Sequence, residues 1–106
     1  LLPGDTFFLA NTQRVVDLGL AHRLPVLSTG RALTEAGILA SYGADVTVLA
    51  RRSATYVHKI LKGAKPGDLP IELPTKFELV LNMRTAKAIG IDVPAAVVAR
   101  ADDVIR

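Results

Sequence analysis

The longest regular pattern of apolar and polar residues follows Asp45. Apolar side chains recur there at spacings of three and four, as they do on one face of an α-helix. Their positions are Val46, Leu49, Ala50, Ala54, Val57, Ile60 and Leu61. Asp45 can accept hydrogen bonds from the free amides of a first helical turn, and Gly63 and Pro66 suit its end. The pattern predicts a helix over about Val46–Lys62.

Before this helix, short apolar runs alternate with longer segments of helical spacing. Leu1–Leu2 is typical of the end of a strand, and Val26–Leu27 and Ile38–Ala40 are short apolar runs of the kind found in buried strands. Between these runs, the spacing predicts one helix over about Phe7–His22 and a shorter one over Arg31–Ala36.

After the long helix, the segment Lys65–Pro74 contains three prolines, so it is predicted to be extended and stiff. Phe77–Asn82 has the alternation of a strand. Asn82 can then cap a short helix over Met83–Ile89, and a last helix is predicted over about Ala95–Ala101.

Strands and helices therefore alternate, which predicts an α/β fold with a parallel sheet covered on both faces. Such sheets bind ligands beyond the carboxyl ends of their strands. Three small, polar, glycine-containing turns are expected there: Pro3–Thr6, Ser28–Gly30 and Ser41–Gly43. Their composition suits backbone amides that approach a ligand, and it also suits ordinary turns.

Composition excludes several classes of protein. The net charge is only +3, the basic residues are spread along the chain and there is no Trp, so we expect no nucleic-acid partner. Without Cys, there is no disulfide and no thiolate chemistry. No apolar run approaches the roughly 18 residues of a membrane span, and no signal peptide is visible. The opening at Leu1-Leu2-Pro3 is expected to be the tail of a strand that begins outside this sequence.

The titratable residues do not form a recognisable catalytic set. His22 and His58 have no carboxylate or second His at ligand spacing, and a triad of Ser28, His22 and Asp17 lacks the nucleophile elbow that such a serine needs. Asp102–Asp103 is expected to be solvated charge, since neighbours on a helix do not face each other. The chain also lacks glycine-rich phosphate loops. We therefore predict no enzyme activity, no cofactor and no metal.

Two further features stay open at this point. Five basic side chains around the long helix could form a binding patch, but they are more typical of the solvated side of an amphipathic helix. They are Arg51, Arg52, Lys59, Lys62 and Lys65. Tyr42, next to Gly43, could stack on a ligand or could pack under the following helix.

Two runs of the sequence resemble a known family. They are RVVDLGLAHRLPVLSTGRALTEAG and SYGADVTVLARRSATYVHKILKGAKPGDLPIELPTKFELVLNMRTAKAIGIDVP. They look like the carboxyl-terminal part of bacterial ABC-transporter substrate-binding proteins, in the subfamily described as a tryptophan/tyrosine transport component. The likeness covers essentially the whole chain.

The resemblance implies a periplasmic-binding-protein type I fold, with two α/β lobes around a cleft. Residues 1–44 would then be the core of a Rossmann-like carboxyl-terminal lobe. Residues 45–65 would be a helix that packs on a missing amino-terminal lobe. Residues 66–82 would form a linker and hinge strand, and residues 83–106 the terminal helices.

The resemblance also implies a function and a site. The protein would capture a small molecule, an amino acid or small organic acid, by closure of the lobes and deliver it to ABC permease subunits in the periplasm or another extracytoplasmic space. The alternative is a sensory or protein-interaction domain without a transport role. An unpaired helix face would favour self-association of this chain. The implied ligand-binding residues are Asp5, Thr6, Ser28, Thr29, Ser41, Tyr42 and Gly43.

Overall fold

The computed structural model describes all residues from Leu1 to Arg106, which form two compact units. The first unit contains Leu1–Gly43 and Glu78–Arg106, and the second contains Ala44–Phe77. The chain thus leaves the first unit once, after Gly43, and returns to it once, at Glu78. None of the helices has the length and apolar character that crossing a membrane would require.

Six α-helices, one 3-10 turn and four strands make up the chain. The helices are α1 Thr6–Ala10, α2 Thr12–Ala21, α3 Arg31–Ala36, α4 Val46–Leu61, α5 Met83–Ile89 and α6 Ala95–Arg100. The 3-10 turn is Pro66–Asp68. The strands are β1 Leu27–Ser28, β2 Ala40–Ala44, β3 Phe77–Asn82 and β4 Asp103–Ile105.

The four strands form one sheet in the order β1-β2-β3-β4, and both outer pairs are parallel. Asn82 N donates to Leu39 O at 2.8 Å and Asp45 N donates to Lys76 O at 3.1 Å. Residue numbers therefore rise along β2 as they fall along β3, which makes the central pair antiparallel. The predicted α/β class with a Rossmann-like sheet is confirmed, but the sheet is mostly parallel rather than parallel throughout as expected.

Two apolar clusters form the core of the first unit. Val16, Leu33 and Ile38 bring α2 and α3 together. The second cluster lies around β2, β3 and α5, and it consists of Leu39, Ala40, Leu81, Ala86 and Ile89. Fully burying a side chain of this size stabilises a fold by about 1.5–3 kcal/mol, so these two clusters are the main source of stability in this unit.

Asp45 and Asn82 begin their helices as predicted. Asp45 Oδ1 accepts from Thr47 N at 2.9 Å and from Val48 N at 3.2 Å. These hydrogen bonds, that of Val48 first, lower the pKa of the Asp45 carboxyl. Asn82 Oδ1 accepts from Thr85 N at 3.2 Å, and Gly90 ends the same helix with a left-handed φ of 74°.

The prediction of a single helix over Phe7–His22 is wrong in one respect, because the helix is broken at Asn11 into α1 and α2. Asn11 Nδ2 donates to Phe7 O at 2.9 Å, and Thr12 Oγ1 donates to Leu9 O at 2.7 Å. Side chains that take up backbone carbonyls in this way compete with helical hydrogen bonding.

The strand boundaries also differ from the prediction. Leu1–Leu2 is not part of a strand, although Leu2 N donates to Leu27 O at 2.7 Å. The first strand, β1, ends one residue later than expected, at Ser28. Ser41–Gly43 was expected to be a turn, but it lies inside β2, because the pairing with β1 continues through Ser41.

The expectation that residues 83–106 hold only helices is also wrong, since β4 closes the sheet there. Asp102 and Asp103 are not simply solvated. Asp102 Oδ2 accepts from Leu79 N at 2.7 Å, and Asp103 accepts from Arg31 Nη2. The strand β4 has only three residues and begins with a charged one, so its alternation of apolar and polar residues is too short to be recognised in the sequence.

Arg31 joins three carboxylates from different parts of the first unit. Its guanidinium contacts Glu35 at 2.6 Å and Glu78 at 3.3 Å, and it also contacts Asp103. The hydrogen bonds to Glu35 and Asp103 raise the pKa of Arg31. Because its partners lie on α3, β3 and β4, this one side chain holds the start of α3 against the sheet.

In the second unit, the proline-rich segment is fastened to α4 by two polar contacts. Arg52 Nε and Nη2 donate to the two carboxylate oxygens of Glu72, both at 2.5 Å. The hydroxyl of Tyr56 donates to Pro70 O at 2.6 Å. The five basic side chains around α4 were expected to be solvated, but Arg52 is instead paired with Glu72.

The proline-rich segment was expected to be extended throughout, but the 3-10 turn Pro66–Asp68 lies near its start.

We predict that Asn82→Ala lowers the free energy of unfolding by about 2–3 kcal/mol, because it removes a helix cap and leaves buried groups without partners. Urea unfolding measures this loss. Asn11→Ala is the matched control, since Asn11 Nδ2 makes an exposed hydrogen bond. Equal losses for the two variants would contradict the role assigned to Asn82.

A second prediction concerns Glu72, whose pKa falls from 4.5 to about 2, chiefly through the hydrogen bonds from Arg52. A carboxyl group whose pKa is lowered by folding stabilises the folded state at pH values above its pKa in the unfolded chain. This stabilisation is lost as the pH falls through its pKa in the folded protein. Glu72→Gln should therefore reduce stability above about pH 4.5 and have little effect near pH 2. Urea unfolding across this range tests it, with Asp68→Asn as the control. A difference that does not change with pH would argue against the ion pair.

Candidate functional site

The three segments predicted to bind a ligand meet at one edge of the sheet in the first unit. A Cβ atom added to Gly4 would lie 2.7 Å from Thr29 Oγ1, and one added to Gly43 would lie 2.1 Å from Thr29 O. Thr29 is therefore in close contact with the segments on either side of it. The structure brings Pro3–Thr6, Ser28–Gly30 and Ser41–Gly43 together, as the prediction requires.

Ser28 and Ser41 lie side by side within the sheet, because they are partners in the register of β1 and β2. Both residues are buried, with 3% and 2% exposure. Ser28 Oγ has no hydrogen-bond partner within the protein. A buried hydroxyl without a partner is uncommon and costs free energy, so Ser28 is the residue of this edge whose polar group is least satisfied by the fold itself.

Asp5 and Thr6 lie at the start of α1, and both are exposed. Asp5 Oδ1 accepts from Phe7 N at 2.7 Å, which caps the helix. Thr6 is the first helical residue. One carboxylate oxygen of Asp5 thus has a structural role, while the other lacks a hydrogen bond, so the carboxylate can still receive a positively charged or hydrogen-bonding group.

Tyr42 lies on β2 and is 63% exposed. The side chain is therefore mostly exposed rather than part of the core. Thr29 is also exposed. The surface of this edge therefore carries an aromatic ring, a hydroxyl and a carboxylate, on a base of two buried serines.

The Arg31 cluster lies at the same edge of the sheet. The carboxyl ends of β1 and β2 meet the amino ends of β3 and β4 there, and Glu78 and Asp103 are near those amino ends. Since the guanidinium already contacts three carboxylates, it can bind a ligand carboxylate only by giving up a partner. The sequence did not indicate this cluster, because its members are up to 72 residues apart.

Two cavities of the protein lie away from most of these residues. In the first unit, a cavity of about 310 Å³ lies on α1 and α2, lined by Phe7, Phe8, Asn11, Arg14, Val15 and Leu18. In the second unit, a cavity of about 590 Å³ lies between α4 and the proline-rich segment. The predicted residues thus form an open wall. A specific site for a small molecule buries most of its ligand, so a ligand bound at this wall would need a second wall opposite.

The side chains do not suggest metal binding or catalysis. No group of three or more His, Cys, Asp or Glu side chains is arranged to hold a metal ion. His22 and His58 do not take part in any hydrogen bond through their side chains. The chemistry that this edge offers is recognition by backbone amides, hydroxyls, one carboxylate and one aromatic ring.

Comparison with known proteins assigns the chain to a family. The family described as ABC transporter substrate binding protein matches residues 2–105. The chain belongs to this family. Its members are substrate-binding proteins rather than enzymes, which agrees with the recognition chemistry of the edge.

The chain is similar to two solved structures over nearly its whole length. A conserved domain protein from Vibrio cholerae is 29% identical, with a TM-score of 0.91, over 96% of this chain and 34% of that one. An ABC domain from Streptococcus pneumonia, crystallised in complex with L-Trp, is 30% identical, with a TM-score of 0.90, over 97% of this chain and 35% of that one.

A curated relative is more distant. A tyrosine-binding protein of Clostridioides difficile (strain R20291) is 23% identical over 88 residues, which are 83% of this chain and 26% of that protein. The chain therefore spans about a quarter of the curated relative and about a third of the two solved structures.

We predict that Gly43→Ala destabilises the protein by about 1–3 kcal/mol, because the added methyl group would have to displace the Thr29 carbonyl. Gly30→Ala is the control. A Cβ atom at Gly30 meets nothing within 4 Å, so its cost should stay below about 1 kcal/mol. Thermal unfolding of both variants measures the difference. If the Gly43→Ala variant were as stable as the Gly30→Ala variant, the close contact between Gly43 and the Thr29 carbonyl would be contradicted.

Proposed function

We propose that this chain forms one wall of the ligand site in the solute-binding component of an ABC transporter. The observation that carries the proposal is the meeting of three polar segments at one sheet edge in a member of this family. The edge is open, it offers hydrogen-bonding groups and an aromatic ring, and it lacks a catalytic set. Such a wall suits capture of a small molecule against a second wall.

The second wall would come from another lobe of a two-lobed protein. In this proposal, residues 1–44 are the core of one lobe, and residues 45–65 pack on the other. Residues 66–82 are the linker and hinge strand, and residues 83–106 complete the first lobe. The apolar side of α4 supports this, because the helix has no buried residue, and Val46 and Leu61 are 73% and 82% exposed. Apolar surface of this kind usually marks an interaction site.

The ligand in this proposal is an amino acid. One similar structure contains L-Trp, and the curated relative is a tyrosine-binding protein. Asp5 would receive the ammonium group, and the ring of Tyr42 would stack on the side chain. Thr29 and Gly43 would supply hydrogen-bonding groups. Because Arg31 is engaged by three carboxylates, the ligand carboxylate would be bound by backbone amides and by the exposed hydroxyl of Thr6, with the buried Ser28 and Ser41 beneath this surface.

Transport would follow from closure of the lobes. Contacts that a ligand makes with both walls exist only in the closed state, so the ligand shifts the population toward it. The closed protein would then deliver the ligand to ABC permease subunits in an extracytoplasmic or periplasmic space. Membership of the substrate-binding family supports this role over a sensory or protein-interaction domain without transport.

We predict that the two-lobed protein containing this chain binds aromatic amino acids, as measured by isothermal titration calorimetry. A panel of L-Trp, L-Tyr, L-Leu, L-Glu and small organic acids covers the ligand classes. Tyr42→Ala should weaken binding by about 2- to 10-fold through loss of aromatic stacking, whereas Tyr42→Phe should retain it.

Two results would count against this proposal. The first is the absence of binding to the whole panel by a folded protein. The second is binding that Tyr42→Ala leaves unchanged, which would remove these strand-end residues from the site. Tyr56→Phe is a control for a general effect of tyrosine substitution, because Tyr56 bonds Pro70 in the second unit.

A further inference from the structure

The side chain of Arg31 connects one loop of the proposed ligand wall with the far side of the sheet. The loop Ser28–Gly30 leads directly into Arg31, which is the first residue of α3. The guanidinium contacts Glu78 on β3 at 3.3 Å, and it also contacts Asp103 on β4. The loop follows β1, so these contacts reach across β2 to the two strands beyond it.

The register of β2 and β3 shows what lies between the loop and Glu78. The two backbone hydrogen bonds that join these strands are equally far apart on both of them, so the strands pair without a bulge. In this register, Gly43 on β2 lies opposite Glu78 on β3. Side chains of opposite residues project from the same face of a sheet. Since Gly43 has no side chain, β2 leaves a space on this face beside Glu78.

The loop itself occupies this space. A Cβ atom on Gly43 would lie 2.1 Å from Thr29 O and 3.0 Å from Thr29 C. The backbone of Thr29 therefore lies where any other residue at position 43 would place its side chain. The missing side chain permits this approach but does not enforce it. The contacts of Arg31 with Glu78 and Asp103 supply an attraction that keeps the loop on the sheet.

The loop is thus held at the place where the chain passes between its two units. Gly43 is the last residue of the first unit before the chain leaves it, and Glu78 is the first residue after the chain returns. All the residues that hold the loop belong to the first unit. The position of the loop is therefore fixed relative to the two strands that lead to these connections.

The charges around Arg31 favour a holding role over direct contact with a ligand. Its single positive charge faces the carboxylates of Glu35, Glu78 and Asp103, which leaves the group with two negative charges in excess. A ligand carboxylate at the guanidinium would add another negative charge to this group, and like charges at such distances repel each other. The contacts that Arg31 already makes are those of a residue that joins elements of the fold.

We propose that Arg31 is a positioning residue of the ligand site, which holds the Ser28–Gly30 loop against β2 and β3 in the conformation that binds the ligand. This role rests on the proposed function of the chain. A loop that is ordered before the ligand arrives loses little entropy on binding. When the loop is ordered in only a fraction of the molecules, the apparent Kd rises in inverse proportion to that fraction.

Four alanine variants of the two-lobed protein that contains this chain test the role, with L-Trp and L-Tyr as ligands in isothermal titration calorimetry. Arg31→Ala and Glu78→Ala break the link between the loop and β3, so each should raise the Kd about 5- to 20-fold. Glu35→Ala is the matched control, because the contact of Glu35 with Arg31 lies within α3. Ile89→Ala destabilises an apolar cluster instead. Both controls should leave the Kd within 2-fold.

A measurement without ligand tests the holding of the loop directly. The backbone order parameters of Thr29 and Gly30 from 15N relaxation should be about 0.85 in the wild-type protein, as for rigid backbone, and should fall below about 0.6 in Arg31→Ala. Glu35→Ala should keep the wild-type values. Absence of amino-acid binding by the wild-type protein would refute the proposed function, while the order parameters would still decide whether Arg31 holds the loop.

Three results would overturn the positioning role. Tighter binding by Glu78→Ala would mean that the guanidinium, once freed from one partner, binds the ligand carboxylate itself. Unchanged order parameters at Thr29 and Gly30 in Arg31→Ala would mean that packing against Gly43 is enough to hold the loop. A rise in Kd for Ile89→Ala as large as that for Arg31→Ala would mean that binding responds to general loss of stability.

Discussion

The first unit depends on the hydrogen bonds that one buried residue, Asn82, makes through its backbone and its side chain. Its backbone N–H donates to Leu39 O, just before β2, and its side chain donates to Thr34 O at 3.0 Å and accepts from Thr85 N at 3.2 Å. These bonds connect β2, β3, α3 and the start of α5. Because the residue is only 5% exposed, losing any of them would leave a polar group buried without a partner. This requirement fixes how α3 and α5 sit on the sheet.

The candidate site follows from this arrangement of strands. With β2 and β3 antiparallel, the carboxyl ends of β1 and β2 lie at the same edge as the amino ends of β3 and β4. The polar segments meet there around Thr29, at a distance that only glycine at position 43 allows. The edge is an open wall of recognition groups, which agrees with a family of proteins that bind solutes. Its single guanidinium is engaged in holding α3 to the sheet.

The second unit is organised by polar contacts rather than by a core of its own. None of the residues of α4 is buried, and the proline-rich segment is attached through Arg52–Glu72 and Tyr56–Pro70. A small apolar core cannot offset the entropy of ordering so many residues. The apolar side of α4 therefore stays exposed in this chain.

Local signals in the sequence determined the α/β class, the caps at Asp45 and Asn82, and most of the helices, because caps, glycine stops and helical spacing act within a few residues. They also located the polar segments of the candidate site. Only the tertiary structure decided that Ser41–Gly43 is strand rather than turn, that β4 closes the sheet and that Arg31 joins three carboxylates. Strand pairing and ion pairs of this kind join residues far apart in the chain, and the energy that selects them exists only after the chain has folded.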